Sequence, residues 1–178
     1  MVDRMIRAAK ADIELYEEVE HSPSLTQEAY TIVGIVAAVS AIGGIIVGLA
    51  TMDNSTTAIL SGIWQGVSVF LGYFVWSYLT FFIGTNVFKG TADYGELQRT
   101  IGYAMTPQVL SFIPLVGVIA GLWSLYLGFV AVRQALDVDN TKAALTIVIA
   151  FVVQIIIFAA IGFVLGVGAF GAAALTGG

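Results

Sequence analysis

The chain lacks cysteine and contains very little charge. Its 178 residues include no Cys and one His, which excludes disulfides, thiolate metal sites and cysteine nucleophiles. Charged residues make up only 11% of the sequence, whereas a soluble globular domain has roughly a quarter. Hydrophobic residues make up 58%, and the mean hydropathy is +0.94. We therefore predict an integral membrane protein without a separate soluble catalytic domain.

Sequence patterns that carry catalysis or nucleotide binding are also missing. The chain has no glycine-rich dinucleotide fingerprint, no phosphate-binding loop and no paired carboxylates within an apolar run. His21 lies next to acidic residues, and no second ligand cluster accompanies it as a metal site would require. The net charge of −5 does not suit nucleic acid, which is bound through clustered basic side chains. We predict no enzymatic activity, no cofactor, no metal and no nucleic-acid partner.

Basic residues are absent from three of the six segments that flank the apolar runs. All seven lie before the first run, after the second or before the last: Arg4, Arg7, Lys10, Lys89, Arg99, Arg133 and Lys142. Loops that contain Lys and Arg stay in the cytoplasm. The pattern therefore predicts a cytoplasmic N-terminus and an external C-terminus. It allows five crossings, or three crossings together with a re-entrant hairpin.

The apolar runs predict an all-α membrane protein built as a five-helix transmembrane bundle. The predicted spans lie at about 30–52, 58–84, 94–111, 115–136 and 143–167, within one transmembrane domain over 30–178. The third is short and contains Pro107, which removes a backbone donor, so we expect it to be kinked or re-entrant. Helix-capping residues support three of the starts. Ser24 with Gln27 forms a capping box before the first span, Asp53, Asn54 and Ser55 are N-cap types before the second, and Asp93 with Glu96 forms a capping box before the third.

Residues 1–29 precede the first span and are predicted to form a cytoplasmic amphipathic helix followed by a turn. Apolar or small side chains recur with the spacing of one helical stripe at Val2, Ile6, Ala9, Ile13 and Tyr16. The segment carries ten charged residues and no apolar core of signal-peptide length. We therefore expect a retained cytoplasmic segment rather than a cleaved leader.

Small residues spaced four apart recur in the predicted spans. Such positions let two membrane helices approach closely, either within one bundle or between two copies of a protein. The candidate packing positions are Ser40, Gly44, Gly48, Gly62, Gly66, Gly117, Gly121, Gly162 and Gly166. The spacing is compatible with close intramolecular packing and with a homo-oligomer interface.

The third predicted helix is the most polar of the spans. Glu96 and Arg99 lie at its entrance, where they form either a local ion pair or a polar mouth for a headgroup or partner. Tyr103, Gln108 and Ser111 bring further polar atoms to membrane depth. In hydrocarbon these groups need hydrogen-bond partners. We therefore expect this helix to be buried in the bundle or to line a hydrated cavity.

A motif in the third helix is similar to one family of membrane proteins. The chain resembles the YIP family, the Ypt/Rab-interacting membrane proteins, in its prokaryotic form. The residues that carry the resemblance are Tyr16 to Val19 with Pro23, Val87 to Gly90, Gly95 to Leu97, Gly102 to Ala104 with Pro107, Trp123, Val132 to Leu136, and Lys142 with Ala143. The resemblance implies a helical protein with five spans and a cytoplasmic N-terminus.

The resemblance extends less clearly to a partner. Eukaryotic members of the family take part in vesicle traffic and bind prenylated Rab GTPases through a long cytoplasmic region. This chain has about 29 residues before its first span, and it lacks the Asp-Leu-Tyr-Gly-Pro signature of the family. We therefore do not carry Rab binding over to it.

Two functions remain open from the sequence. The first is a non-enzymatic protein of a prokaryotic plasma membrane that organises or scaffolds the membrane through lipid or cytoplasmic protein contacts. The alternative is a small channel, lipid-translocating or transporter-like protein with a pathway along the third helix. The residues expected to matter for either function are Tyr16, Lys89, Glu96, Arg99, Gly102, Tyr103, Pro107 and Arg133.

Overall fold

The chain is helical throughout the part that the structure describes. The structure is a computed structural model, and it describes the backbone of residues 1–175 and the side chains of residues 1–113 and 115–163. The α-helices are α1 (Val2–Ala9), α2 (Ile13–Glu20), α3 (Thr26–Thr51), α4 (Ser55–Asn86), α5 (Tyr94–Ala104), α6 (Pro114–Leu136) and α7 (Asn140–Leu175). Two 3-10 turns lie at Pro23–Leu25 and Thr106–Leu110. The all-α prediction is confirmed.

Four segments of the described chain are long and apolar enough to cross a membrane. They are Pro23–Thr51, Ser55–Asn86, Leu115–Leu136 and Asn140–Phe163, and they contain α3, α4, α6 and the first part of α7. The predicted third span, 94–111, is not one helix, because α5 ends at Ala104 and a 3-10 turn follows. Pro107 explains the end: in a longer α-helix its ring would clash with the carbonyl group of Tyr103. The chain is a multi-pass integral membrane protein.

The caps predicted for α4 and α5 are present, whereas the predicted capping box of Ser24 with Gln27 is wrong, because α3 begins at Thr26 without a side-chain cap. The side chain of Asn54 accepts a hydrogen bond from the Thr57 N–H at 3.1 Å, which begins α4. Asp93 accepts one from the Glu96 N–H at 2.8 Å, and the Glu96 carboxylate accepts one from the Asp93 N–H at 2.6 Å. This reciprocal pair satisfies two backbone donors that a helix start otherwise leaves free.

The α3 and α4 helices form a hairpin in which small residues bring the two backbones together. A Cβ atom added at Gly62 would lie 2.8 Å from the carbonyl oxygen of Ala41. A Cβ atom added at Gly66 would lie 2.7 Å from that of Ala37. Neither distance leaves room for a side chain, so the helices pack backbone against backbone.

A second hairpin consists of α5, the 3-10 turn and α6. The Thr91 N–H, which follows α4, donates to the carbonyl oxygen of Leu136 at 3.1 Å, so α4 and α6 end on the same side of the bundle. The tip of the hairpin packs on α3, where the Phe112 Cα lies 3.6 Å from a Cβ added at Gly43. From that level α3 continues to Thr51, two further helical turns or roughly 12 Å. The hairpin therefore stops short of the α3–α4 turn.

The predicted single amphipathic helix in residues 1–29 is wrong, because the segment forms two helices. The backbone is left-handed at Ala11, where φ is 58°, and this break separates α1 from α2. The predicted apolar stripe is consequently split: Tyr16 is fully buried, whereas Val2 and Ile6 are 64% and 50% exposed. The buried positions of the two helices include Ala8, Leu15, Tyr16 and Val19.

Candidate functional site

The two N-terminal helices cover one end of the α5–α6 hairpin. Leu15, Tyr16 and Val19 of α2 are fully buried. They form one apolar cluster with Ala29, Ile32, Tyr103, Ala104, Leu127, Val130 and Ala131. Burial of one large apolar side chain contributes about 1.5 to 3 kcal/mol. The α2 helix is therefore a docked part of the bundle, and we call this contact region the N-terminal junction.

Arg99 joins α5 to the end of α2. Its Nε donates to the carbonyl oxygen of Val19 at 2.9 Å, and its Nη2 donates to that of Glu20. A helix end leaves such carbonyl groups without intrahelical partners, and the helix dipole also favours a cation there. The predicted local ion pair of Arg99 with Glu96 is wrong, because the Glu96 carboxylate is engaged in the capping box with Asp93. Arg99 therefore caps a helix other than its own.

Glu28, near the start of α3, is bonded to both α1 and α5. The Tyr103 hydroxyl donates to its Oε1 at 2.6 Å, and Arg4 Nη1 donates to its Oε2 at 3.1 Å. The Tyr16 hydroxyl donates to the carbonyl oxygen of Ala8 at 3.4 Å, which links α2 to α1. The sequence did not identify Glu28 as a functional residue. Its partner Tyr103 lies 75 positions away, and only the folded chain brings them together.

The structure separates the residues that were expected to matter for function. Tyr16, Arg99, Gly102 and Tyr103 meet at the N-terminal junction, where Gly102 lets α5 approach α3: a Cβ added there would lie 3.0 Å from the Cβ of Ala29. The others, Lys89, Glu96, Pro107 and Arg133, lie outside it. Lys89 is exposed in a left-handed loop conformation with φ of 61°. Arg133 donates to its neighbours Gln134 and Asn140 at 2.6 and 3.2 Å.

The predicted packing positions also fall into groups. Gly44, Gly48, Gly62 and Gly66 lie in the α3–α4 contact, and Ser40 lines a cavity of about 500 Å³ beside it. A Cβ added at Gly117 would lie 2.7 Å from the Ser111 carbonyl oxygen in the hairpin tip. Gly121 and Gly162 have no described atom within 4 Å of an added Cβ. Gly166 lies outside the residues whose side chains are described, and the homo-oligomer interface stays a prediction.

A cavity of about 800 Å³ lies between α4, α5, α6 and α7, and we call it the central cavity. Its walls are mainly apolar and include Trp76 and Phe151. Leu125 of α6 and Ile155 of α7 line it and are 63% and 52% exposed, so it opens sideways between these helices. Its size and character match those of small-molecule pockets. Among the described lining residues there is no Asp, Glu, Lys, Arg or His.

Uncharged polar side chains also reach the central cavity. They are Gln65, Ser68, Gln108, Ser124 and Gln154. The Ser124 hydroxyl is buried, with the residue 7% exposed, and it has no hydrogen-bond partner in the described part of the chain. Neither region has a described group of three His, Asp or Glu side chains that could hold a metal ion. The cavity can thus offer hydrogen bonds but no ionic contact.

Comparisons with known proteins agree with this helical membrane architecture. The family model for the Yip1 domain matches residues 14–174, a range that begins in α2 and includes both the N-terminal junction and the central cavity. No curated protein and no solved structure matches the chain. The family match confirms the resemblance that the third helix and the flanking loops indicated. The chain belongs to the Yip1-domain family.

Proposed function

We propose that this Yip1-domain protein is a non-enzymatic scaffold that organises the membrane by holding a cytoplasmic protein. The observation that carries the proposal is the docking of α2 at the N-terminal junction. Its apolar side is buried, and Arg99 caps its end. The opposite side of α2 is therefore presented in a fixed position. A surface that is already ordered loses less conformational freedom when a partner binds.

The exposed side of the N-terminal helices is acidic. Residues 1–29 contain seven acidic and three basic residues. Two of the basic side chains are already paired, Arg4 with Glu18 and Glu28, and Arg7 with Glu18 and Asp12. The partner that we propose is a cytoplasmic protein with a basic surface, since complementary charge steers association. An anionic lipid leaflet would be repelled by the same surface.

A photo-cross-linking residue placed at Glu14, exposed on α2, tests the scaffold in intact cells. We expect discrete protein adducts at this position. The charge reversal Glu17→Lys on the same exposed side should weaken them, whereas Asp53→Lys at the α3–α4 turn should not. Adducts that consist of lipid alone, or protein adducts that Glu17→Lys leaves unchanged, would contradict the scaffold.

We also propose a membrane topology for this protein in the plasma membrane of a prokaryote. The N-terminal junction faces the cytoplasm, α3, α4 and α7 cross the bilayer, and α5 with α6 forms a re-entrant hairpin. Five crossings fit the basic residues equally well. The hairpin tip supports the re-entrant arrangement because it lies roughly 12 Å short of the end of α3. In both arrangements the C-terminus is external.

Single cysteines in this naturally cysteine-free chain test the topology. A bulky impermeant thiol reagent applied from outside should label a cysteine at Thr56, which follows the α3–α4 turn, and should not label one at Lys89. A cysteine at Phe112 separates the two arrangements. Protection there supports the re-entrant hairpin, whereas labelling as strong as at Thr56 supports five crossings.

A second function, lipid binding or translocation, is favoured by the central cavity. Ile101, Met105 and Gln108 line this cavity, so it follows α5 and the 3-10 turn as the alternative from the sequence requires. Reconstitution into vesicles that carry a fluorescent lipid tests translocation. The alternative predicts faster exchange of the lipid between leaflets than in protein-free vesicles, whereas a scaffold predicts no acceleration.

A further inference from the structure

We infer that the central cavity binds a neutral lipid, whose hydroxyl or carbonyl oxygens hydrogen-bond to the glutamine amides that line it. The inference rests on the second proposed function, which supplies lipid as the ligand. It deepens that function by naming the class of lipid. Binding does not require that the lipid is moved between leaflets. An experiment can therefore contradict neutral-lipid binding and lipid translocation independently of each other.

The first argument is the position of the glutamine amides. Several hydroxyl groups in the long helices of this chain donate to the carbonyl oxygen one turn earlier, for example Thr80 to Trp76 at 2.9 Å and Thr146 to Lys142 at 2.8 Å. Such a bond is the usual way to satisfy a hydroxyl in a membrane helix. Gln108 and Gln154 line the cavity instead, and the Gln154 Nε2 lies 3.9 Å from a Cβ added at Gly72, another lining residue. Because an amide without a partner is costly in hydrocarbon, a ligand oxygen beside these groups would be stabilising.

The second argument is the depth of the polar groups. Gln154 lies fourteen residues after the start of α7, or about 21 Å along the helix, and Gln65 lies ten residues after the start of α4, or about 15 Å. Both amides are therefore well inside the apolar part of their helices, where polar groups persist only with partners. They line the same cavity as Ser124 and Gln108. Gln108 and Gln154 thus place uncharged donors and acceptors in an otherwise apolar space, while the Gln65 Oε1 atom packs against Gly44 of α3.

The third argument is the charge of the ligand. A phosphate or ammonium headgroup at this depth would need an opposite charge, and the described lining has no acidic or basic side chain. Hydroxyl and carbonyl groups need hydrogen bonds only. The sideways opening between α6 and α7 lets the apolar chains of such a lipid enter from the bilayer. The chemistry therefore fits a diacylglycerol or a prenol better than a phospholipid.

Two glycines of α6 provide a matched pair of variants. Gly128 lines the central cavity, Gly121 does not, and neither has a described atom within 4 Å of an added Cβ. Gly128→Leu should therefore fill the cavity without a steric clash, while Gly121→Leu adds the same side chain elsewhere on the helix. Ser124→Ala removes the unpaired hydroxyl and leaves the cavity open.

The experiment uses the full chain in phosphatidylcholine vesicles with small amounts of photoactivatable diacylglycerol, prenol or phosphatidylcholine. We expect the two neutral probes to label α6 and α7 around Ser124 and Gln154, and the phosphatidylcholine probe to label them far less. Gly128→Leu should abolish the neutral-lipid labelling, and Gln154→Leu should lower apparent affinity about two- to tenfold. Ser124→Ala, at a hydroxyl that is not accessible from the cavity, and Gly121→Leu should change neither.

Equal labelling by the phosphatidylcholine probe, absence of labelling by both neutral probes, or labelling that Gly128→Leu leaves unchanged would overturn the inference. The lipid-exchange assay is read separately. Neutral-lipid labelling without accelerated exchange supports a binding site and contradicts translocation. Accelerated exchange without neutral-lipid labelling supports translocation and contradicts the proposed site.

Discussion

The N-terminal junction and the central cavity lie on adjoining parts of α5 and α6 but differ in how their polar groups are satisfied. At the junction, Arg99, Tyr103 and Tyr16 each donate to an acceptor on another helix. In the cavity, the amides of Gln108 and Gln154 line an apolar space that has no charged side chain among its described residues. Buried polar groups without partners destabilise a fold. The comparison indicates that the junction is complete within the chain, whereas the cavity is suited to a group from outside.

The largest effect should come from Arg99→Leu, which breaks the junction. The change leaves the buried carbonyl group of Glu20 without its Arg99 donor, while the carbonyl group of Val19 keeps the Ser22 N–H as a donor at 3.3 Å. A buried acceptor without a donor costs about 1 to 3 kcal/mol and loss of the second bond about 0.5 to 1.5 kcal/mol, so we expect the free energy of unfolding to fall by about 2 to 4 kcal/mol. Thermal unfolding in detergent measures this loss, and protease cleavage between α1 and α3 reports the release of α2.

Arg133→Leu is the control for that change. Arg133 donates to Gln134 and Asn140 on the partly exposed end of α6, so its loss should cost no more than about 1 kcal/mol. Equal melting of the two variants would show that the helix cap by Arg99 does not stabilise the junction.

The next effect concerns the α3–α4 hairpin. Its α3 helix contributes to the N-terminal junction, and its α4 helix lines the central cavity. Gly62→Leu places a side chain against the Ala41 carbonyl group and should destabilise the protein by about 1 to 3 kcal/mol through overpacking. Gly121→Leu, in the open position on α6, should leave the melting temperature nearly unchanged. A Gly62 variant that melts like the wild type would mean that the two helices are not in backbone contact.

A pH-dependent effect sharpens the comparison at the junction itself. Burial raises the pKa of Glu20 from 4.5 to about 7; the nearby acids Asp137, Glu96 and Glu17 add to the shift, and His21 opposes it. Because the pKa is raised in the folded chain, the contribution of Glu20 to stability is fully present below about pH 4.5 and is lost as the pH rises through about 7. Glu20→Gln should remove this loss, on the order of 1 to 2 kcal/mol.

Melting temperatures of the wild type and Glu20→Gln at pH 5 and pH 8 provide the measurement. The two proteins should differ little at pH 5, and the variant should melt higher at pH 8. The pKa of His21 is raised by its bond to the Glu17 carbonyl group and by the Glu20 carboxylate, so the difference between the two proteins reports the Glu20 carboxyl group together with its coupling to His21. A wild type that is more stable than the variant at pH 8 would contradict the raised pKa.

The smallest effect should come from Tyr103→Phe, which removes the hydroxyl bond to Glu28 and nearly keeps the ring volume. We expect a loss of about 0.5 to 1.5 kcal/mol with neutral-lipid labelling unchanged, because the junction is structural. Tyr78→Phe, at an exposed tyrosine of α4, is the matched control and should have no effect. Loss of labelling in Tyr103→Phe at unchanged stability would assign ligand binding to the junction as well.

Local features of this fold could be predicted from the sequence, because the interactions that produce them span only a few residues. Asn54 and Asp93 cap helices by bonds to residues three positions away. The break at Ala11 was missed. Alanine rarely adopts a left-handed conformation, and the apolar spacing of Val2, Ile6 and Ile13 continues across it. A periodic pattern shows where apolar residues recur but not where the helix is interrupted.

The candidate sites were predicted in part. Arg99 and Tyr103 were identified because polar groups at a membrane entrance are unusual, but their partners were not. Arg99 bonds backbone carbonyl groups, which every residue has, about eighty positions away. A cavity was expected only as one of two alternatives for the third predicted helix, the other being burial in the bundle. Gln65 and Gln154 line the cavity because of how α4 and α7 pack. The spacing of residues along either helix does not predict that packing.

The hydrogen bonds of α5 have a consequence for the order in which the chain is assembled. Two residues of α5 form hydrogen bonds to groups that are synthesised earlier. Arg99 donates to the Val19 carbonyl group, and Gln98 accepts from the Tyr30 hydroxyl. The apolar cover from Leu127 and Ala131 is made later, with α6. A segment with Arg99 inserts poorly into hydrocarbon by itself. We therefore expect α5 to remain at the membrane surface during synthesis until α6 emerges, so that the two enter the bundle as one hairpin.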